Sequence, residues 1–343
     1  MSKKISLFNN KGGVSKTTTT FHLGWMLAEM GKKVLIVDTD PQCNLTGLSL
    51  NIAKEEKFEE IYASDISNVR SMMAVVFEGK PEPLAAANCY AFNESPNLFL
   101  LPGHIEFSEY DTTYSIAQEL TGSLQMFRNV PGALRFVLVE TAKKYEFDYI
   151  LVDMSPSITS TNANILMQSD YFIVPCAPDY FCYMAIESLT KVFPMWNKAY
   201  QNMRANTVFL SADYKIKETP PIFLGTIQQR FRPRNGAPAK SFARWIESIN
   251  TIVAQNLIPV LSDNGMLISD QDMSNYEEPY NLINISDFNS LIAQSQKHNT
   301  PVFTLTDKQI EQGGKILENM ITSRDNFRKT FELLANRVIQ LTL

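Results

Sequence analysis

Cysteine and histidine are scarce in this chain, at four and three among 343 residues. Cys43, Cys89, Cys176 and Cys182 stand far apart or at spacings that no metal-ligand pattern uses, which argues against a metal cage built from them. They read as reduced thiols. An excess of positive charge is also missing. The formal net charge is −5, so no global basic field draws the chain to nucleic acid, and any such contact needs a local patch. No apolar run is long enough to span a bilayer. No charged-then-apolar leader opens the sequence, so the cytoplasm is the expected location, on the nucleoid if DNA is bound. Internal repeats, low-complexity tracts and linkers are lacking too. The expectation is one domain over 1–343 with a less regular helical and loop segment at about 50–95.

What is present begins at 8–20, FNNKGGVSKTTTT. A phosphate-binding loop reads G-x-x-x-x-G-K-[ST]. Here Asn10 and Ser15 occupy the two glycine positions, Gly12 and Gly13 lie inside the loop, and Lys16 and Thr17 are in place. An apolar run at 4–9 precedes the loop. A helix follows from about Lys16 to Met30, with Leu23, Met26, Leu27 and Met30 on one face, and Gly31 is a natural stop. The run at 33–38, KVLIVD, completes a βαβ unit. Further short apolar runs at 97–101, 149–153, 171–175, 207–211 and 222–227 read as strands, and 132–144 and 184–198 as helices between them. Several runs lack alternation, as strands buried on both faces do. The prediction is an α/β fold with a doubly wound, mostly parallel sheet flanked by helices, its ligands beyond the carboxyl ends of the strands.

The charged residues fall at such ends. Backbone N–H groups of a tight turn at a helix start cradle an anion. Lys16 can reach β- and γ-phosphates, Thr17 can ligate Mg²⁺ and Thr18 can add a bond to the α-phosphate. Glycine is favoured just before the lysine because the backbone there takes positive φ. Serine in that conformation costs about 1–3 kcal/mol. Asp38 and Asp40, in DTDPQCN at 38–44, share a face if the chain stays extended. Beside a phosphate loop, two carboxylates suggest a metal and a positioned water, although an Asp-Pro turn alone accounts for the same residues. Asp153, ending YILVD, has the form of a second metal-shell carboxylate. By itself that sign is weak, since apolar strands often end in Asp.

In their order and rough spacing, KGGVSKT, DTDPQ and YILVDMSPS resemble the ParA/MinD family of deviant Walker A P-loop ATPases, in its partition-protein branch. That family's variant loop is K-G-G-x-G-K-[ST], and its extra lysine corresponds to Lys11. LLPGH, the run at 161–189, NLIPVLSDN at 256–264 and a late Gly313-Gly314 before a final helix extend the resemblance over nearly the whole chain. It implies a homodimer that sandwiches ATP and Mg²⁺ and hydrolyses ATP slowly until a ParB-like partner protein stimulates it. Lys11 would cross to the partner's phosphates, as an arginine finger does. Gly12, Gly13, Val14, Ser15, Lys16, Thr17 and Thr18 would hold the nucleotide, with Gln229 and Pro259 near adenine. Asp40 would orient the attacking water, with Thr17, Asp38, Asp40 and Asp153 around the metal. Ser15 departs from the family's glycine.

Partition-type members bind DNA nonspecifically as ATP dimers. The local basic candidates are Arg230, Arg232, Arg234, Lys240 and Arg244 in RFRPRNGAPAKSFARW, joined by Arg324, Arg328, Lys329 and Arg337 near the end; a solvated charged face reads the same way. The MinD branch ends in a basic amphipathic helix. Here Phe331, Leu334, Val338 and Leu341 share a face without strongly basic flanks, which favours core packing over membrane. Two functions stay open: a DNA-partition ATPase, and a nucleotide switch or cargo-positioning ATPase whose partner is a protein. A nitrogenase iron-protein-like electron carrier lacks the cysteines it needs after Asp40 or Asp153.

Overall fold

The computed structural model describes residues 2–50, 64–80, 82–119, 125–234, 237–268 and 278–343. Its sheet has eight strands: β1 (Lys3–Leu7), β2 (Val34–Asp38), β3 (Tyr90–Phe92), β4 (Ser95–Leu101), β5 (Tyr149–Asp153), β6 (Tyr171–Cys176), β7 (Ile222–Phe231) and β10 (Asn281–Ser286), in the order β10-β7-β6-β1-β5-β2-β4-β3. Every neighbouring pair is parallel except β3 on β4. The dipeptides β8 (Pro233–Arg234) and β9 (Ala237–Pro238) form a separate ribbon. The expected α/β fold with a mostly parallel, helix-flanked sheet is therefore present.

The central strands are apolar on both faces because helices cover both. All five residues of β2 and of β5 are buried. The first helix, α1 (Lys16–Glu29), lies so close to the sheet that a Cβ on Gly24 would stand 2.6 Å from Ile36 Cγ2. In chain order there follow α2 (Asn44–Leu50), α3 (Val69–Phe77), α4 (Tyr110–Glu119), α5 (Ala133–Tyr145), α6 (Ser160–Met167), α7 (Tyr180–Ala205), α8 (Lys240–Ile252), α9 (Ile258–Asp263), α10 (Leu291–His298) and α11 (Gly314–Leu341). Helix α11 buries Phe331, Leu334, Val338 and Leu341, so that apolar stripe belongs to the core. Among the described residues no helix is long and apolar enough to cross a membrane.

Two readings change. TVFLS at 207–211 is a helical turn, Thr207–Leu210, capped by the Asn206 side chain, which accepts from Val208 N. Only Phe209 of that turn is buried, and a strand inside a parallel sheet needs both faces covered. The edge strands β3 and β10 come from YAF and NLINIS, which carry no strong apolar run. In the segment at 50–95, the charged stretch 53–62 lies outside the described residues, while Val69–Phe77 is a helix begun by an Asn68–Ser71 capping box.

Candidate nucleotide site

The loop leaves β1 pinned from below. The Asn9 side chain accepts from Lys11 N (2.9 Å) and donates to the Pro175 carbonyl (2.8 Å), tying the turn to β6. Gly13 has φ 73° and Ser15 φ 60°, both left-handed. Ser15 is the N-cap residue of α1, yet its hydroxyl makes no capping bond, so the α1 amino terminus keeps its N–H groups for an anion. Lys16 is buried and folds back over the loop, donating to the carbonyls of Asn9 (3.2 Å) and Lys11 (3.3 Å). Burial holds its pKa down, against the pull of Asp153 and Asp40.

The Thr17 hydroxyl donates to Asp153 Oδ2 at 2.7 Å. Asp153 Oδ1 is buried without a hydrogen-bond partner, which leaves one acceptor of the carboxylate beside Thr17 unsatisfied; like Asp38, Asp153 lies behind the cavity at the loop and does not line it. Burial, then the neighbouring Asp38, raises the Asp153 pKa well above the carboxylate range. Asp38 and Asp153 are register partners on β2 and β5. Asp40 is nearly buried and caps its own turn, accepting from Gln42 N at 2.9 Å.

Asp38 corrects the shared-face expectation. Strand β2 stops at Asp38, so the alternation rule does not carry to residue 40. The Asp38 carboxylate is directed to the first turns of α2, where Oδ2 accepts from Thr46 N (2.8 Å) and Thr46 Oγ1 (2.7 Å), and Oδ1 accepts from Asp40 N at 3.2 Å. Burial pushes its pKa up to about 6. It supports Asp40 and does not line the cavity at the loop. Among the described residues no cluster of three or more His, Cys, Asp or Glu could hold a metal. A cation here would need Thr17, water and a ligand's own oxygens in addition to Asp153 and Asp40.

The cavity measures about 820 Å³ and is walled by the loop, Asp40, Leu48, Pro156 and Arg230. Arg230 departs from the surface basic run. With φ 63° it interrupts the β7–β10 register, which steps from Gln229 to Phe231, and this bulge re-aims the side chain. Its Nη1 donates to the Gly13 carbonyl at 2.7 Å. Gln229 and Pro259 do not line the cavity. Gln229 is buried beneath the loop, donating to Thr19 Oγ1 (2.7 Å) and the Val14 carbonyl (3.3 Å). Pro259 sits exposed at the start of α9. Lys11 is ion-paired within its own chain to Asp179, the N-cap of α7.

Of the remaining basic candidates, Arg232, Lys240, Arg244 and Lys329 are exposed. The Arg234 side chain lies outside the described residues. Arg328 is held by Glu29 at 2.9 Å, and Arg324 by Asp307 at 2.8 Å and Asp325 at 2.9 Å. Arg337 donates to the Leu282 carbonyl. The C-terminal arginines thus brace α11.

A family model described as an AAA domain matches residues 2–206. The chain belongs to the ParA/Soj family of ATPases. This ParA-family chain is similar to the chromosome-partitioning ATPase Soj of Treponema pallidum, 30% identical over 190 residues that make up 55% of this chain and 62% of Soj. It spans under two thirds of the length of the curated relatives it matches. Its fold is similar to that of the Cyanothece McdA(D38A)–ATP complex, with TM-score 0.56, 18% identity and coverage of 94% of this chain and 96% of that one. The ParA of pNOB8 bound to nonspecific DNA superposes with TM-score 0.53 and 20% identity, covering 100% of this chain and 99% of that one. Sequence reasoning missed two groups of this ParA-family site, Thr46 under Asp38 and Asp179 beside Lys11, and it took Arg230, which lies against the loop, as part of a basic DNA surface. Only for Asp179 was there a local sign, an Asp opening an apolar helix.

Proposed function

We propose that the protein is a single-domain Mg²⁺-dependent ATPase that pairs with a second copy of itself in the ATP state. The observation that carries this reading is the buried Asp153 carboxylate, one oxygen on Thr17 and the other unpartnered, next to a left-handed loop with unused amides. The donor set fits a nucleotide-bound magnesium. Thr17 and Asp153 would hold it, and it would supply charge neutralisation at the β- and γ-phosphates. Residues 12–18 grip the phosphates, with Lys16 moving from the Asn9 and Lys11 carbonyls onto them. Asp40 orients the attacking water and Asp38 steadies Asp40. Arg230 adds a second cation within reach of the nucleotide. Lys11 must leave Asp179 to reach the other subunit.

Pairing is supported by exposed apolar side chains in the first turns of α7, directly after the Lys11 partner Asp179, and in the loop after β5. Tyr180, Phe181 and Met184 on α7 and Ile158 after β5 are 53%, 71%, 42% and 47% exposed. Such a patch marks an interface. Partition is the context we favour, in the cytoplasm on nucleoid DNA, with nonspecific DNA held by Arg232, Lys240 and Arg244 and turnover raised by a ParB-like protein. The second reading is a switch acting on a protein partner without DNA, favoured by the pairing of Arg324 and Arg328 to carboxylates of their own chain. Mg-ATP calorimetry and turnover with and without DNA, on the natural protein and Lys16→Ala, test both. Heat and phosphate release lost in the variant support the ATPase. A saturating titration with no heat overturns it, and salt-insensitive behaviour with DNA selects the second reading.

A further inference from the structure

The loop lies at the carboxyl ends of the strands. A larger hollow, about 1150 Å³, opens at their amino ends, where β1, β5, β6 and β7 begin. Strand β1, of five residues, separates the two by about 16 Å. No feature of the nucleotide site accounts for this hollow.

Five cations line it against three carboxylates, in a chain of net charge −5. Four of the five make bonds within the fold, two of them to carboxylates. Lys3 donates to the carbonyl of Thr342. Lys4 is buried against Asp170 at 3.2 Å, and its N–H also donates to that carboxylate. Lys143, on the exposed rim with Glu146 and Asp148, pairs with Glu140 at 2.7 Å. Lys217 is the fourth, and Arg135 alone has no partner among the described residues. Lys217 Nζ donates to Thr219 Oγ1 (2.8 Å) and to the carbonyls of Thr219 (3.0 Å) and Pro220 (3.2 Å), none of them charged. Arg135 is half-buried, has neither ion pair nor hydrogen bond among the described residues, and its Nε is shut off from water without a partner. Burial pushes the Lys217 pKa down to about 8, with Lys4, Arg204 and Arg135 repelling it against the attraction of Asp170. An uncompensated guanidinium in such a place is costly. Val139, Tyr171 and Ile222 supply a half-buried apolar wall.

We propose that this hollow binds a small organic anion, its phosphate or carboxylate held between Arg135 and Lys217 and its apolar body against Val139, Tyr171 and Ile222. The guanidinium can grip either acid group bidentately, while the Lys217 ammonium, its three N–H groups already engaged, adds its positive charge, and the volume, a little above that of common small-molecule pockets, leaves room for the ligand. The site is independent of the ATPase reading.

The test titrates phenyl phosphate, hexanoate and inorganic phosphate into the whole protein by calorimetry, alongside Arg135→Gln, Lys217→Gln and Lys16→Ala. Phenyl phosphate or hexanoate is expected to bind at least about tenfold tighter than inorganic phosphate, through the apolar wall. The tighter of the two identifies the acid group. Each hollow variant weakens that binding at least about tenfold, and Lys16→Ala leaves it intact. Arg135→Gln serves as the folding control: the guanidinium makes no bond among the described residues, so its thermal midpoint is expected at or above the natural one. Binding that survives both hollow variants, binding lost in Lys16→Ala, inorganic phosphate as tight as the organic anions, or no heat from any of the three at millimolar concentration overturns the proposal.

Discussion

Ser15 occupies a backbone conformation, φ 60° and ψ 32°, that a β-carbon makes unfavourable by about 1–2 kcal/mol. The surroundings enforce it: the Ser15 carbonyl accepts from Thr19 N (2.9 Å) and Thr19 Oγ1 (2.8 Å), while Gln229 holds Thr19 from below. Glycine pays no such strain, though its freer unfolded chain returns part of the gain. Ser15→Gly is therefore expected to stabilise the protein by about 1 kcal/mol in urea denaturation, and an unchanged or lower midpoint would show the strain to be absorbed elsewhere. Asp153 gives the second residue-scale prediction. Its carboxylate is buried and half-satisfied, so Asp153→Asn is expected to raise the thermal midpoint of the ligand-free protein while weakening Mg-ATP at least about tenfold in calorimetry.

At the scale of elements, α1 is fixed on two sides. On the sheet side, Gly24→Ala drives a methyl into Ile36 and is expected to cost about 1–3 kcal/mol. On the other side, His22 is sealed among Phe288, Phe303 and Phe331. Its Nδ1 must donate to the Thr18 carbonyl at 2.8 Å, because its Nε2 accepts from Val302 N at 3.0 Å. The ring is thus locked neutral, and burial lowers its pKa from 6.5 to about 4. Since the folded value lies below the unfolded one, this contribution is present above pH 6.5 and is lost as pH falls toward 4, amounting to about 3 kcal/mol. The acid limb of a stability profile should be shallower by that amount in His22→Phe. These elements also mark what was legible. The phosphate loop, β2 and β5 are contiguous strings whose chemistry and apolar runs sit side by side in the sequence. Arg230 meets Gly13 across 217 residues, and the bulge that aims it arises only when β7 pairs with β10. TVFLS had strand propensity but no second neighbour to bury it. Asp38 was legible as an acid but not in its direction, which depends on Thr46 in the next helix.

At the scale of the whole molecule, one end of the sheet gathers the loop, Asp40, Arg230 and the apolar side chains in the first turns of α7, while Lys11 is tied back to Asp179. That pair is partly open to water, Asp179 at 44% and Lys11 at 20% exposure, so water screens it and lowers the cost of releasing it. A nucleotide that recruits a second copy over this face could then draw Lys11 across. Two substitutions separate the parts. The natural protein is expected to double its 38.9 kDa mass with ATP in light scattering; Phe181→Glu, which places a charge in the patch without touching the loop, is expected to lose that doubling while keeping monomeric Mg-ATP affinity within about threefold. Lys11→Ala is expected to keep nucleotide binding and lower turnover by about a hundredfold or more, since a cation acting at the transition state affects kcat rather than affinity. If Phe181→Glu still pairs and turns over normally, the partner lies on another face, and the apolar patch must be assigned to a different protein.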